Sequence, residues 1–179
     1  MRKAQQTLID LIKKFGEVNG EIVKVDRLLN HMVDIDLIKE IGEDIAEKFA
    51  DVSVDKILTV EASGIPGAQA AAFSMHKDYI FAKKKNPITM KGFFSAESFS
   101  FTKNEHTTLY VSKEVLKKGD RILFVDDFYA KGNTLKAIKK IIEQAEAELV
   151  GVAVIVDKND TPDIHSILTL SQLKSAMGK

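Results

Sequence analysis

Val125-Asp126-Asp127-Phe128-Tyr129-Ala130-Lys131-Gly132-Asn133-Thr134 is the stretch on which the fold turns. The apolar run Ile122 to Val125 leads into it, and Leu135 to Ala145 continues out of it with helical spacing. Two carboxylates therefore stand at a strand end, directly before a small-residue turn that opens a helix. Backbone N–H groups of such a turn, added to the positive end of the helix dipole, make a site for a phosphate. Paired Asp side chains beside it accept hydrogen bonds from sugar hydroxyls or face a metal. The same spacing also fits a plain turn, in which Asp126 and Asp127 cap backbone groups and Gly132 supplies a positive φ.

Outward from this stretch, Ile57 to Val60, Tyr79 to Ala82 and Leu149 to Val156 are further apolar or β-branched runs of strand length, and Ala68 to Met75 is a second helix between them. Strand, loop and helix in series predict an α/β fold: a doubly wound, mainly parallel twisted sheet flanked by helices, with ligands at the carboxyl ends of its strands. Towards the N-terminus, Leu8, Leu11, Ile12 and Phe15 mark an amphipathic helix closed by Gly16, and an extended piece follows at Ile22 to Val25. A second helix starts at the N-cap Asp34 and presents Leu37, Ile38, Ile41, Ile45 and Phe49 on one face. Between Lys83 and Ser112 a period-2 pattern of Phe93, Ser95, Glu97, Phe99 and Phe101 predicts an antiparallel excursion, a flexible flap with few core contacts. No repeat and no Pro/Gly/Ser linker divides the chain, so residues 1–179 read as one domain in which the first 55 residues are an appendage packed on the sheet.

Glu61-Ala62-Ser63-Gly64-Ile65-Pro66-Gly67 also joins a strand to a helix. Ser63 and Gly64 expose backbone N–H groups with little shielding, which suits the close approach of a diphosphate; in the plain reading Ser63 is only a helix cap.

Composition bounds what this site serves. Among 179 residues, 26 Lys and Arg balance 26 Asp and Glu, so no net field draws the protein to nucleic acid or an anionic membrane. No cysteine is present, which excludes a disulfide scaffold and a thiol nucleophile and fits a cytoplasmic location. The four His residues, His31, His76, His106 and His165, lack ligand spacing, so no protein-held metal is expected. The longest apolar run, Val150 to Val156, is far short of the ~20 residues of a membrane span. Lys83, Lys84 and Lys85 form a charge run that by itself reads as a solvated face.

The 125–134 segment resembles the phosphoribosyl-diphosphate (PRPP) signature of type I phosphoribosyltransferases: an apolar strand, two acidic residues, a short loop and Thr-Gly-x-Thr. Lys131 stands where the commonest pattern has Thr, with Gly132 and Thr134 in place. With the Ser63-Gly64 loop upstream, the pair is similar to the two anion loops of that family. Val25 to Asp34, Phe81 to Lys84 and Ser100-Phe101-Thr102-Lys103 look like the xanthine phosphoribosyltransferase branch, and the resemblance runs in order from about Val18 to Lys158.

The resemblance implies the type I fold, with a hood contributed by the chain ends and the flap at 83–112, and transfer of ribose 5-phosphate from PRPP to an oxopurine, foremost xanthine. A hypoxanthine/guanine or adenine enzyme, and a non-catalytic PRPP- or nucleotide-binding regulator, are the alternatives. It implies catalytic roles for Asp126 and Asp127, PRPP contacts from Ser63, Gly64, Lys83, Lys84, Ala130, Lys131, Gly132, Asn133 and Thr134, and purine contacts from Asn30 and Lys158. Mg²⁺ bound mainly through PRPP and a homodimer come with the family. An ammonium at Lys158 offers donors to a 6-oxo group and none of the acceptors that adenine's amine needs. The family usually has an aromatic residue two positions beyond that Lys. Asp160 stands there instead, which leaves Phe128 or Tyr129 to offer a face to the base or simply to pack.

Overall fold

The computed structural model describes residues 1–20, 22–100 and 105–178. In chain order it contains α1 (Lys3–Phe15), β1 (Glu17–Asn19), β2 (Ile22–Lys24), a π-helical turn (Asp26–Asn30) and α2 (Ile35–Lys48). The central part follows with β3 (Lys56–Val60), α3 (Ile65–Met75), β4 (Asp78–Ala82), β5 (Phe93–Ser100) and β6 (Glu105–Ser112). It closes with β7 (Arg121–Tyr129), α4 (Asn133–Gln144), β8 (Glu148–Asp157), β9 (His165–Thr169) and α5 (Leu170–Ala176).

The sheet has the order β4-β3-β7-β8-β9, with every pair parallel. Its strands read as continuous apolar runs because both faces are covered. On one face Ile57, Leu123, Val125, Ala153 and Ile167 pack against α1, α2, α3 and α5 through Leu8, Ile12, Leu37, Ile41, Ala68, Ala71 and Leu173. On the other, Leu58, Val60, Ile122, Phe124 and Val154 pack against α4 and the β5–β6 hairpin through Ile138, Ile141, Ala96, Leu109 and Val111. The alternation Ile57/Leu58, Leu123/Phe124 and Ala153/Val154 is the pleat that divides the two cores.

Three expectations change in detail. Helix α2, capped as expected by the Asp34 side chain on the Leu37 N–H at 3.0 Å, lies in the core layer against α3 rather than in an appendage. The hairpin does make core contacts: Ala96, Leu109 and Val111 are buried, and the Gln144 side chain bonds both backbone groups of Ser95. Of its expected tip, Phe101, Thr102 and Lys103 lie outside the described residues. Asp126 and Asp127 do not follow the strand but belong to it, since β8 is long enough to pair with β7 as far as Tyr129↔Asp157. At the C-terminal end, β9 stops at Thr169, whose side chain forms a capping box with Gln172 and starts α5.

Arg2, Asp44 and His165 meet at the β9 edge. Asp44 Oδ1 lies 2.7 Å from His165 Nε2 and accepts from Arg2, whose other amino group donates to the Ser166 carbonyl. Among the described residues no helix is long and apolar enough to cross a membrane.

Candidate functional site

Strands β3 and β7 are neighbours at the centre of the sheet, and the helices that follow them lie on opposite faces. Their carboxyl-end loops therefore face each other across one crevice. In the 61–64 loop the Glu61–Ala62 peptide is cis, and Glu61 Oε1 accepts from the Lys84 N–H at 2.6 Å. Gly64 caps α3 with an ordinary φ of −73°, so glycine is not required there by backbone conformation. Space requires it. A Cβ at this position would lie 2.2 Å from Thr59 Oγ1 and 2.7 Å from Asp126 Oδ1.

Gly132, by contrast, has φ +72° and caps α4, and a Cβ there would lie 2.7 Å from the Tyr129 hydroxyl. The Asn133 side chain donates to the Phe99 carbonyl at 2.8 Å, which ties the start of α4 to the hairpin.

Two adjoining cavities occupy the crevice. One, of about 250 Å³, is lined by Tyr129 and the 130–134 loop with Lys158; the other, of about 260 Å³, by Glu61, Ser63, Lys84, Thr107 and Asp127. Phe99, Asp126, Phe128 and Thr134 line both. A larger cavity of about 690 Å³ lies among Lys56, Phe73, His76, Tyr79 and Lys117, by the amino ends of β3 and β4. Neither Glu61, Asp126 nor Asp127 lines it, and it sits at the wrong end of a parallel sheet for a ligand of these loops.

Asp126 is the electrostatic centre. Its Oδ1 accepts the Asp127 N–H at 3.0 Å, and Asp127 Oδ1 accepts the Phe128 N–H at 2.9 Å. Burial first, and the neighbouring Asp127 charge second, push the Asp126 carboxyl well above the ordinary carboxylate range, against the opposing pull of Lys84. A buried acid of this kind is poised to ionise when a cation or hydroxyl donors arrive.

Lys158 enters the cavity from β8, with Nζ 5.5 Å from the centre of the Phe128 ring. The turn that carries it is built on buried Asp157, whose carboxylate accepts the Asn159 N–H at 2.9 Å and the Thr161 N–H. Asn159 in turn donates from its side chain to the Ala130 carbonyl. Asp160 turns away from the cavities. Its Oδ1 accepts from Ser171 at 2.7 Å, and the Thr169 and Ser171 hydroxyls hold its carboxyl below the usual range.

The structure thus gathers Ser63, Lys84, Asp126, Asp127, Phe128, Ala130, Lys131, Gly132, Asn133, Thr134 and Lys158 around the crevice, with Gly64 pressed against Asp126. Lys83 lines neither cavity: its backbone pairs with Tyr110, and its ammonium lies 5.3 Å from the centre of the Phe81 ring. Asn30, at the exposed end of the π-helical turn, lines neither as well. Phe128 packs on the core and also lines both cavities. Sequence reasoning missed Glu61, Phe99 and Asn159. Phe99 had a signal in the period-2 run, and Glu61 in its place directly after β3.

The family model of the phosphoribosyl transferase domain matches residues 24–170. The chain is 43% identical over 156 residues to the xanthine phosphoribosyltransferase of Staphylococcus carnosus, covering 86% of this chain and 81% of that one. It is 42% identical over 175 residues to the same enzyme of Staphylococcus saprophyticus, with 92% and 91% covered. Among solved structures, an adenine phosphoribosyltransferase from Thermoanaerobacter pseudethanolicus superposes with TM-score 0.75 at 19% identity, covering 90% of this chain and 99% of that one.

Proposed function

The chain belongs to the phosphoribosyl transferase family, and on that premise we propose that it transfers ribose 5-phosphate from PRPP to an oxopurine, foremost xanthine, releasing diphosphate. The observation that carries this reading is the convergence of two loop-and-helix starts, from opposite faces of the sheet, on Asp126. PRPP has an anionic group at each end of a ribose, and the two cavities are a matching pair on either side of a carboxylate.

In this reading the 130–134 loop and the start of α4 bind the 5′-phosphate, while Ser63, Gly64 and Lys84 bind the diphosphate. Asp126 and Asp127 accept from the ribose hydroxyls between them. As the bond from C1 to diphosphate lengthens, the sugar gains oxocarbenium character, and fixed anchors at both ends hold C1 in line with the attacking purine nitrogen. Lys158 donates to the 6-oxo group and Phe128 offers its ring to the base. Residues 1–55, Asn30 among them, contribute to the hood of a single domain, and 83–112, with Lys83, serve as the flap that excludes water. Asp126, Asp127 and Glu61 line this cavity without forming a cluster that could hold a metal by itself among the described residues, which suits a Mg²⁺ ion that enters on PRPP and keeps mostly substrate and water ligands. Bound there, Mg²⁺ would neutralise charge on the departing diphosphate. A cytoplasmic homodimer is the setting that the family resemblance carries.

The 43% identity to a xanthine enzyme favours xanthine, whereas the adenine enzymes are matched in fold at 19%. The test is PRPP consumption with each purine base in turn. Xanthine is expected to support turnover best and adenine least. Lys158→Gln, whose amide presents either a donor or an acceptor, is expected to narrow that gap about tenfold. Efficient turnover of adenine overturns the choice of base, and no PRPP consumption with any base overturns the transferase reading.

A further inference from the structure

We propose that Asn159 is a positioning residue for the phosphate loop: by holding the Ala130 carbonyl from behind, it aims the Lys131 backbone N–H into the cavity. The inference rests on the reading of the 130–134 loop as the 5′-phosphate site. In a trans peptide the C=O and the following N–H point in opposite directions, so fixing one fixes the other. Ala130 and Lys131 line the cavity while Asn159 does not, and the Asn159 side chain donates to the Ala130 carbonyl. The bond therefore grips the loop from the side away from the ligand.

Asn159 is itself held. Its N–H is bound by the Asp157 carboxylate, which is buried in the sheet. On its other side, Asp160 is anchored by Ser171 at the start of α5. The Lys158 N–H completes the link by donating to the Tyr129 carbonyl at 2.9 Å. Residues 157–160 thus form a brace between α5 and the phosphate loop, and the residue that faces the base, Lys158, sits within the same brace. Lys158 and the phosphate loop, which line the same cavity, are thereby mechanically joined.

The test compares two ligands, the purine nucleoside 5′-monophosphate and the same nucleoside without phosphate, by titration calorimetry on the full chain. Wild type is expected to prefer the monophosphate strongly. Asn159→Ala is expected to lose about tenfold of that preference, as befits one misaimed charge-assisted donor, with nucleoside affinity nearly unchanged. Asn159→Asp, whose carboxylate repels the Ala130 carbonyl, is expected to lose more. The Lys131 amide resonance reports the geometry directly: it moves downfield when the monophosphate binds wild type and moves less in Asn159→Ala. Thermal unfolding of each variant checks that it is folded. An unchanged monophosphate preference with an unchanged Lys131 shift overturns the proposal, as does equal weakening of both ligands, the mark of a general structural role. Wild type that fails to prefer the monophosphate overturns the phosphate-loop reading and the proposal with it.

Discussion

Gly64→Ala is the sharpest perturbation of this site, because alanine adopts the backbone conformation of Gly64, with φ −73°, without strain. Whatever the variant loses comes from the added methyl. That methyl would approach Thr59 Oγ1 to 2.2 Å and Asp126 Oδ1 to 2.7 Å, which is short by ~1.3 and ~0.8 Å of ordinary contact at ~3.5 Å. Thr59 is fully buried and cannot swing outward, so the Asp126 carboxylate or the loop must shift. Overpacking of this kind costs about 1–3 kcal/mol, and a chain of this length loses roughly 2–4 °C of Tm per kcal/mol. Displacing the Asp126 carboxylate, to which we assign the ribose hydroxyls, by nearly an ångström is expected to lower kcat/KM for PRPP by roughly tenfold to a hundredfold. The assay is steady-state turnover at varied PRPP with thermal unfolding of the same samples. Adding Thr59→Ala removes the nearer clash and leaves the contact with Asp126. The double variant is expected to regain stability without regaining activity. Wild-type kcat/KM in Gly64→Ala, or strictly additive stabilities in the pair, refutes the reasoning.

Two further predictions concern charge and backbone. Asp126→Asn is expected to abolish most turnover while stabilising the ligand-free protein above about pH 4. The folded chain holds a proton on Asp126 that the unfolded chain releases near the ordinary value of 3.8. Stability from this group is therefore lost as pH rises from there through the raised folded value, and Tm curves of variant and parent that run parallel across that window refute it. Gly132→Val places a β-branched residue at φ +72° and drives it towards the Tyr129 hydroxyl, so PRPP affinity is expected to fall by at least ~tenfold with purine affinity retained. Equal losses in calorimetric titrations of both ligands refute that.

The sheet was legible because β3, β7 and β8 are buried on both faces and spell apolar runs, and because Asp34 and Gly16 punctuate the helices beside them. The two loops were legible because small residues and carboxylates at strand ends are local signals. What escaped depends on partners distant in sequence. Asp126 and Asp127 read as turn residues until β8 extends the ladder beside them. Gly64 reads as a donor loop, yet its necessity comes from Thr59 and Asp126, each on a different strand. Asn159 carries no local signal, since nothing near it in sequence names Ala130 as its acceptor. Helix α5 also left a clear local mark that went unused, the Thr169-Leu170-Ser171-Gln172 capping box.

The edge strand β9 joins elements from far apart in the chain, being covered by α1, α2 and α5 and pinned through Arg2, Asp44 and His165. Residues 158–164 alone link it to β8, without a crossover helix. Gly64 and Asp126, in contrast, adjoin β3 and β7, each of which has a strand partner on either side. Cooperative opening units follow such boundaries, and an edge strand with its covering helices opens at lower free energy than the centre of a sheet. The parts of the crevice accordingly belong to units of different local stability: Ser63, Gly64, Asp126 and Asp127 are held by the centre, whereas Lys158 and the Asn159 grip on the phosphate loop belong to a strap rooted at the fraying side. Heat or denaturant that loosens this edge is expected to erode first the choice of base and the hold on the 5′-phosphate, while the grip on ribose and diphosphate persists until the sheet itself gives way.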